Sequence, residues 1–169
     1  MKTKTGLKGK VFVLAGIIII SFLFSMLFIA FKIQEITFKE KKIALQNLVE
    51  TVFSTLEYYD EAVKKGELTV DEAQKKALQI IKNARFANKD YFWVNDMFPK
   101  MIMHPDKSEL EGTDLSSYKD ARGQLFFIEM VKVCRDQGEG FVTYWWLRPG
   151  SETALKKISY VKLFKPWDW

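Results

Sequence analysis

Few side chains in this sequence have the chemistry of a catalytic or metal-binding site. The 169 residues include one histidine, His104, and one cysteine, Cys134. A four-ligand zinc site of cysteine and histidine therefore cannot be assembled, and no disulfide can form within the chain. The sequence also lacks a nucleophile elbow and a glycine-rich phosphate loop. We expect no enzyme, no metal and no cofactor, although counting residues does not exclude carboxylate chemistry.

Pairs of aromatic residues occur in segments that have the pattern of β-strands. Tyr91 and Trp93 share one face of a predicted strand, and Tyr144 and Trp146 share one face of another, because side chains alternate along a strand. One interpretation is an ordinary core packed between helix and sheet. The other is a cleft in which tyrosine hydroxyls are donors and tryptophan rings are walls.

Three polar residues flank these segments, and each has two interpretations. Arg85, at the end of a predicted helix, either holds an anion in two bonds through its planar guanidinium or lies solvated at the helix end. His104 precedes Pro105 at a strand end and is either a donor to a bound group or a structural histidine. Lys157 shares a strand face with Ser159 and is a second candidate cation or a surface lysine.

An apolar segment near the N-terminus predicts a membrane anchor. Residues 11–31 are 21 residues without a charge, which as a helix span roughly 30 Å of hydrocarbon. A cleaved signal peptide would have a shorter apolar region and a small-residue cleavage site, which this segment does not offer. Because lysines cluster before it, we predict a cytoplasmic tail at 1–10, a transmembrane helix at 11–32 and an extracytoplasmic domain at 33–169.

The charge distribution argues against a nucleic-acid binder. The formal net charge is +5, and five lysines within the first 32 residues account for it. The remaining residues, 34–169, carry 21 basic and 21 acidic side chains. A nucleic-acid-binding domain needs a basic face on its folded part, which a balanced domain does not provide.

Hydrophobic periodicity predicts the order of elements after the membrane. A helix over 34–65 continues the membrane helix, and Thr69 with Glu72 forms a capping box that opens a second helix. Strands follow at 91–96 and 100–105, then a third helix at roughly 117–135, with Cys134 as a small core residue. Further strands are predicted at 141–147 and 157–164, separated by a turn at Pro149 and Gly150. This order predicts an α+β fold.

An ordered series of short motifs resembles the single Cache domain (type 2) of bacterial transmembrane sensors, especially methyl-accepting chemotaxis receptors. The similarity covers residues 34–169, with Asp168 and the pair Leu147 and Arg148 as departures from the usual residues. The motifs are YFWVND at 91–96, MHP at 103–105, GTDL at 112–115, Asp120 with Gly123, GEGFV at 138–142, Tyr144, Pro149 with Gly150, KISYV at 157–161 and PWDW at 166–169.

The resemblance implies an N-terminal transmembrane helix that continues into a long helix, followed by a PAS-like antiparallel sheet with one crossing helix. Family members have a fifth strand in the middle of the sheet, a second membrane helix and a cytoplasmic output module. Because the chain stops at Trp169, we expect the final strand to be missing. The resemblance also implies a homodimer in the inner membrane, in contact with lipid, with the N-terminus cytoplasmic and the domain periplasmic or extracellular.

Related domains bind small organic acids such as acetate, propionate, pyruvate or lactate. A desolvated carboxylate needs a cation and directed donors, and a short aliphatic tail needs aromatic walls. The predicted ligand-binding residues are Arg85, Tyr91, Trp93, His104, Tyr144, Trp146 and Lys157.

Two other functions stay open at this point. The same domain serves as the input of sensor histidine kinases and cyclic-nucleotide enzymes, and nothing in these residues separates those outputs from a chemoreceptor. A membrane-anchored structural or adaptor protein is a less favoured alternative.

Overall fold

A computed structural model describes residues 6–87, 89–147 and 152–169. The chain divides into two compact units, Met1–Ile43 and Ala44–Trp169. Helix α1 (Leu7–Lys64) begins in the first unit and ends in the second. By length and composition, α1 contains a stretch apolar enough to cross a membrane. The predicted continuation of the apolar helix beyond residue 34 is confirmed.

The second unit contains two further helices, α2 (Val70–Asn83) and α3 (Phe126–Gln137). Helix α2 begins where the capping box predicts. The Thr69 hydroxyl accepts a hydrogen bond from the Glu72 N–H at 3.3 Å, and the Glu72 carboxylate accepts one from the Thr69 N–H at 2.9 Å. Two N–H groups that a helix start leaves unpaired are thereby satisfied.

Among the described residues the strands form three antiparallel pairs, β1 with β2, β3 with β4 and β5 with β6. The predicted α+β class is confirmed, but the prediction of one strand over 91–96 is wrong. The chain changes partner there, because β2 pairs with β1 whereas β3 pairs with β4. The strands are β1 (Arg85–Phe86), β2 (Asp90–Tyr91), β3 (Val94–Asn95), β4 (Met101–Met103), β5 (Glu139–Trp146) and β6 (Leu155–Lys162).

Helix α3 begins nine residues later than the predicted position 117. The cause is Asp120, a nearly buried side chain whose carboxylate accepts hydrogen bonds from three main-chain N–H groups. The donors are Arg122 at 2.8 Å and Gln124 at 2.9 Å in the same loop, and Trp145 at 2.9 Å in β5. These bonds hold the segment before α3 as a loop against the sheet.

Helix α3 packs closely on β5, and this contact forms the larger core. A Cβ atom at Gly140 would lie 2.6 Å from Cγ1 of Val133, so any larger residue at this position would require Val133 or the strand to shift. Cys134 is buried in α3, as predicted, and burial raises the pKa of its thiol to about 11. The core around α3 contains Met101, Leu115, Phe126, Phe127, Met130, Val142, Tyr144 and Trp146.

A second core lies between α1, α2 and the end of the chain. Leu56 of α1 packs with Ala77 and Ile81 of α2 and with Met103 of β4. Strand β4 thus contributes to both cores and carries the chain to His104, which follows it directly. The predicted turn at Pro149 and Gly150 lies outside the described residues.

Candidate functional site

A small cavity lies between α3, the β5–β6 hairpin and the segments around β2 and β4. Its volume is about 10 Å³, which is room for one water molecule. An organic acid of four or more heavy atoms would fit only if the walls moved apart. The lining residues are Tyr91, Trp93, His104, Phe126, Phe127, Tyr144, Trp146 and Lys157.

The register of the β5–β6 hairpin brings its three cavity-lining residues, Tyr144, Trp146 and Lys157, to the same side of the cavity. Tyr144 lies directly opposite Lys157, and the pleat places Trp146 on the same face of β5 as Tyr144. The Tyr144 hydroxyl is buried and forms a hydrogen bond with the Ser159 hydroxyl at 3.0 Å. This bond fixes the phenol ring, which also stacks on Phe126 with the centroids 4.4 Å apart.

His104 is 2% exposed, and its protonation state follows from its neighbours. The main-chain N–H groups of Asp106 and Lys107 both donate to Nδ1, at 3.2 and 3.0 Å. A nitrogen that accepts these bonds carries no proton, so the neutral ring carries its proton on Nε2. Burial lowers the pKa of His104 to about 4, which keeps the ring neutral near pH 7. His104 therefore offers the cavity a donor rather than a charge.

Two lysines supply the positive charge near the cavity. The Lys157 ammonium lies 4.6 Å from the centroid of the Tyr91 ring and 5.7 Å from that of Trp93. The Lys107 ammonium lies 4.3 Å from the centroid of the Trp146 ring. Both cations thus contact aromatic rings that line the cavity, at distances typical of cation–π interactions.

Trp146 carries a donor without an acceptor. The side chain is 6% exposed, and its indole Nε1 is buried without a hydrogen-bond partner among the described residues. A buried polar group left unpaired costs roughly 1–3 kcal/mol, so such groups are rare in folded proteins. Because Trp146 lines the cavity, this unpaired N–H is a candidate donor to a bound molecule.

The structure brings six of the seven predicted site residues together around one cavity and places Arg85 elsewhere. The Arg85 guanidinium donates to the Lys82 carbonyl at 2.6 Å and pairs with the Asp106 carboxylate at 3.3 Å. It is exposed and does not line the cavity. That the six contact a ligand stays a prediction.

Sequence reasoning missed three residues at the site: Phe126 and Phe127, which line the cavity, and Lys107, which lies over Trp146. Phe126, Phe127 and Met130 lie on the buried face of α3, in the same core as Tyr144 and Trp146. Their helical spacing is the signal that could have suggested this wall of the cavity. Nothing in the local sequence around Lys107 marks it. Among the described residues, no cluster of three histidine, cysteine or acidic side chains is arranged to hold a metal ion.

The family model described as single Cache domain 2 matches residues 38–169. The chain therefore belongs to this family, and the resemblance in its motifs is confirmed. The aromatic-walled cavity of the second unit lies within the matched range.

The chain is similar to two curated proteins and to solved sensor domains. The methyl-accepting chemotaxis protein McpP of Pseudomonas putida is 43% identical over 124 residues, which are 73% of this chain and 23% of that protein. The sensor histidine kinase MctS of Rhizobium johnstonii is 28% identical over 133 residues, 78% of this chain and 28% of that protein. A solved Cache chemosensory domain, described for its carboxylic acid recognition, is 41% identical with a TM-score of 0.76, covering 80% of this chain and 92% of that domain.

The chain spans about a quarter of the length of the two curated relatives. These similarities place its second unit with sensor domains, which are input modules rather than catalytic ones.

Proposed function

We propose that the second unit is the ligand-sensing domain of a bacterial chemoreceptor and that its cavity binds a small organic acid of the acetate, propionate, pyruvate or lactate class. The observation that carries the proposal is the set of donors around one apolar cavity. A cation, Lys157, a neutral imidazole, His104, and an unpaired indole N–H, Trp146, meet there.

A carboxylate is the group that these donors suit. Charge-assisted hydrogen bonds from Lys157 would offset the hydration that the carboxylate loses on binding. The N–H groups of His104 and Trp146 would donate to the remaining lone pairs of the carboxylate. The aromatic rings of Phe126 and Phe127 would contact a short aliphatic tail. The relative described for carboxylic acid recognition supports this ligand class.

Ligand binding would shift a conformational equilibrium. In the closed form the cavity has room for one water only, so an acid must bind a form whose walls lie further apart. It shifts the equilibrium by its differential affinity for the two forms. Because α1 runs from the domain into the apolar stretch, we propose that it carries a displacement on the order of 1–2 Å towards the membrane.

The proposed location is the bacterial inner membrane. Residues 11–32 would span the lipid, residues 1–10 would be cytoplasmic and residues 33–169 periplasmic or extracellular, because the N-terminal lysines favour the cytoplasmic side. The proposed assembly is a homodimer. The similarity to the chemotaxis protein McpP supports a chemoreceptor output.

Thermal unfolding of the full chain in lipid nanodiscs tests the proposal. At a concentration a hundred times Kd, acetate or propionate should raise the free energy of unfolding by about 2.7 kcal/mol. Lys157→Gln should raise Kd by about tenfold or more, since a charge-assisted bond is lost. Lys156→Gln removes the same charge from the exposed neighbouring position and should leave Kd unchanged.

Acetamide provides the matched ligand control, since it keeps the shape of acetate and removes the charge. Equal stabilisation by acetamide and acetate would contradict carboxylate recognition. No stabilisation by any of the four acids would contradict the proposed ligand class.

A second output is favoured by one observation, the similarity to the sensor histidine kinase MctS. We propose it as the alternative, with the same cavity and ligand class. Nothing in the described residues separates the two outputs, so the sequence of the full-length gene is the observation that would decide between a chemoreceptor and a kinase.

A further inference from the structure

The turn that follows β4 folds back on itself around His104. It contains a short 3₁₀ helix (Ser108–Leu110) and ends at Glu111. The Glu111 carboxylate accepts a hydrogen bond from the main-chain N–H of His104 at 3.1 Å. The same oxygen, Oε1, accepts a bond from the Lys82 ammonium in the last turn of α2, also at 3.1 Å.

Both the side chain and the main chain of His104 are therefore fixed by hydrogen bonds. Its imidazole is oriented by the N–H groups of Asp106 and Lys107, and its backbone is held by Glu111. Without Glu111, the amide of a buried residue would lose the acceptor it has in this structure. We expect the turn to shift so that the amide reaches another acceptor, and the ring would move with its backbone.

The carboxylate of Glu111 suits this role because it is ionised. Burial raises its pKa, but the hydrogen bonds from His104 N–H and from Lys82 outweigh burial and hold the pKa below its usual value. A charged acceptor makes a stronger hydrogen bond than a neutral one. The bond to Lys82 also ties the turn to α2, so its position depends on a helix that lies outside the cavity lining.

We infer that Glu111 is a positioning residue for the ligand site: by holding the main chain of His104 and anchoring it to α2, it keeps the imidazole donor directed at the cavity. This inference rests on the proposed function. Glu111 is not among the residues that line the cavity, so its effect on binding passes through His104.

Three variants of the full chain in nanodiscs test the inference. Glu111→Met keeps the length of the side chain and removes the acceptor, and it should raise the Kd for acetate by about tenfold. Glu111→Gln keeps an oxygen acceptor and should stay within about threefold of the wild type. Glu109→Gln removes a negative charge from the exposed side of the same turn and should leave Kd unchanged.

The single histidine makes a direct readout possible. With ring ¹⁵N labelling, and an affinity tag that contains no histidine, the imidazole signals belong to His104 alone. The wild type and Glu111→Gln should show a protonated Nε2 and an unprotonated Nδ1. Glu111→Met should show mixed tautomers, because the N–H groups that fix Nδ1 shift with the turn. A general loss of stability without a change at His104 would leave these signals intact.

A measurement on the wild type alone covers the case in which Glu111→Met does not fold. Coupling is reciprocal, so acetate bound at the His104 ring must also stabilise the bond between the His104 N–H and Glu111. Hydrogen exchange of the His104 amide should slow by about threefold or more in saturating acetate.

The outcomes separate the two claims. If the wild type binds none of the acids, the proposed function fails and the inference fails with it. If the wild type binds acetate but Glu111→Met keeps its Kd and its tautomer, only the inference is overturned. If acetate binds without slowing exchange of the His104 amide, the inference is likewise overturned.

Discussion

Acidification should weaken the fold through His104 by an amount that follows from its surroundings. The pKa of the ring is lowered to about 4, chiefly because the ring is buried. The negative charge of Asp106 raises the pKa, and the positive charges of Lys157 and Lys107 lower it. In an unfolded chain the pKa is near 6.5. Well above pH 6.5 the ring is neutral in both the folded and the unfolded state. Below it the unfolded chain takes up the proton first, so stability falls, by about 2 kcal/mol at pH 5 and about 3 kcal/mol below pH 4.

The matched variant is His104→Asn, whose carbonyl oxygen can accept the two main-chain N–H bonds now made to Nδ1 but does not titrate. The free energy of unfolding is measured by denaturant titration of both proteins in nanodiscs at pH 7 and pH 5. Because carboxylates contribute equally to both, the wild type should lose about 2 kcal/mol more than the variant. Equal losses, or an imidazole resonance that titrates near pH 6.5, would refute the reasoning.

Three further substitutions have expected effects on the free energy of unfolding, measured in the same way. Asp120→Ala should lower it by about 3 kcal/mol, because three main-chain N–H groups lose their acceptor, among them that of Trp145; Asp120→Asn, which keeps one oxygen, should lower it less. Gly140→Ala should lower it by about 1–3 kcal/mol, since the added methyl would meet Val133 at 2.6 Å. Thr69→Ala should lower it by about 1 kcal/mol, whereas Thr69→Ser should have little effect. No loss with Gly140→Ala would mean that α3 lies further from β5.

Local sequence patterns predicted the structure correctly where residues close together in the sequence determine it. The capping box at Thr69 and Glu72 fixed the start of α2, because both partners lie within one turn. The strand pattern placed Tyr144 and Trp146 on one face of β5 because alternation needs no tertiary information. The long hairpin also lay close to its predicted position, although β5 and β6 each begin two residues earlier.

Tertiary contacts decided what the sequence did not predict. The start of α3 depends on the bond from Trp145 to Asp120, which joins residues 25 apart. The position of Arg85 depends on Asp106, which is 21 residues away and competes for the guanidinium. The tautomer of His104 depends on the turn that follows Pro105, in which the N–H groups of Asp106 and Lys107 donate to Nδ1. A single sequence shows which residue types are present but not which distant residues contact each other in the folded chain.

The most direct test is whether a bound acid touches His104. The full chain in nanodiscs, with its single histidine labelled, is mixed with acetate and cross-relaxation is recorded between the acetate methyl protons and the imidazole protons. A saturable cross-peak that propionate displaces is the expected result. Saturable binding of acetate with no magnetisation transfer to the imidazole would place the ligand elsewhere and contradict a carboxylate site in this cavity.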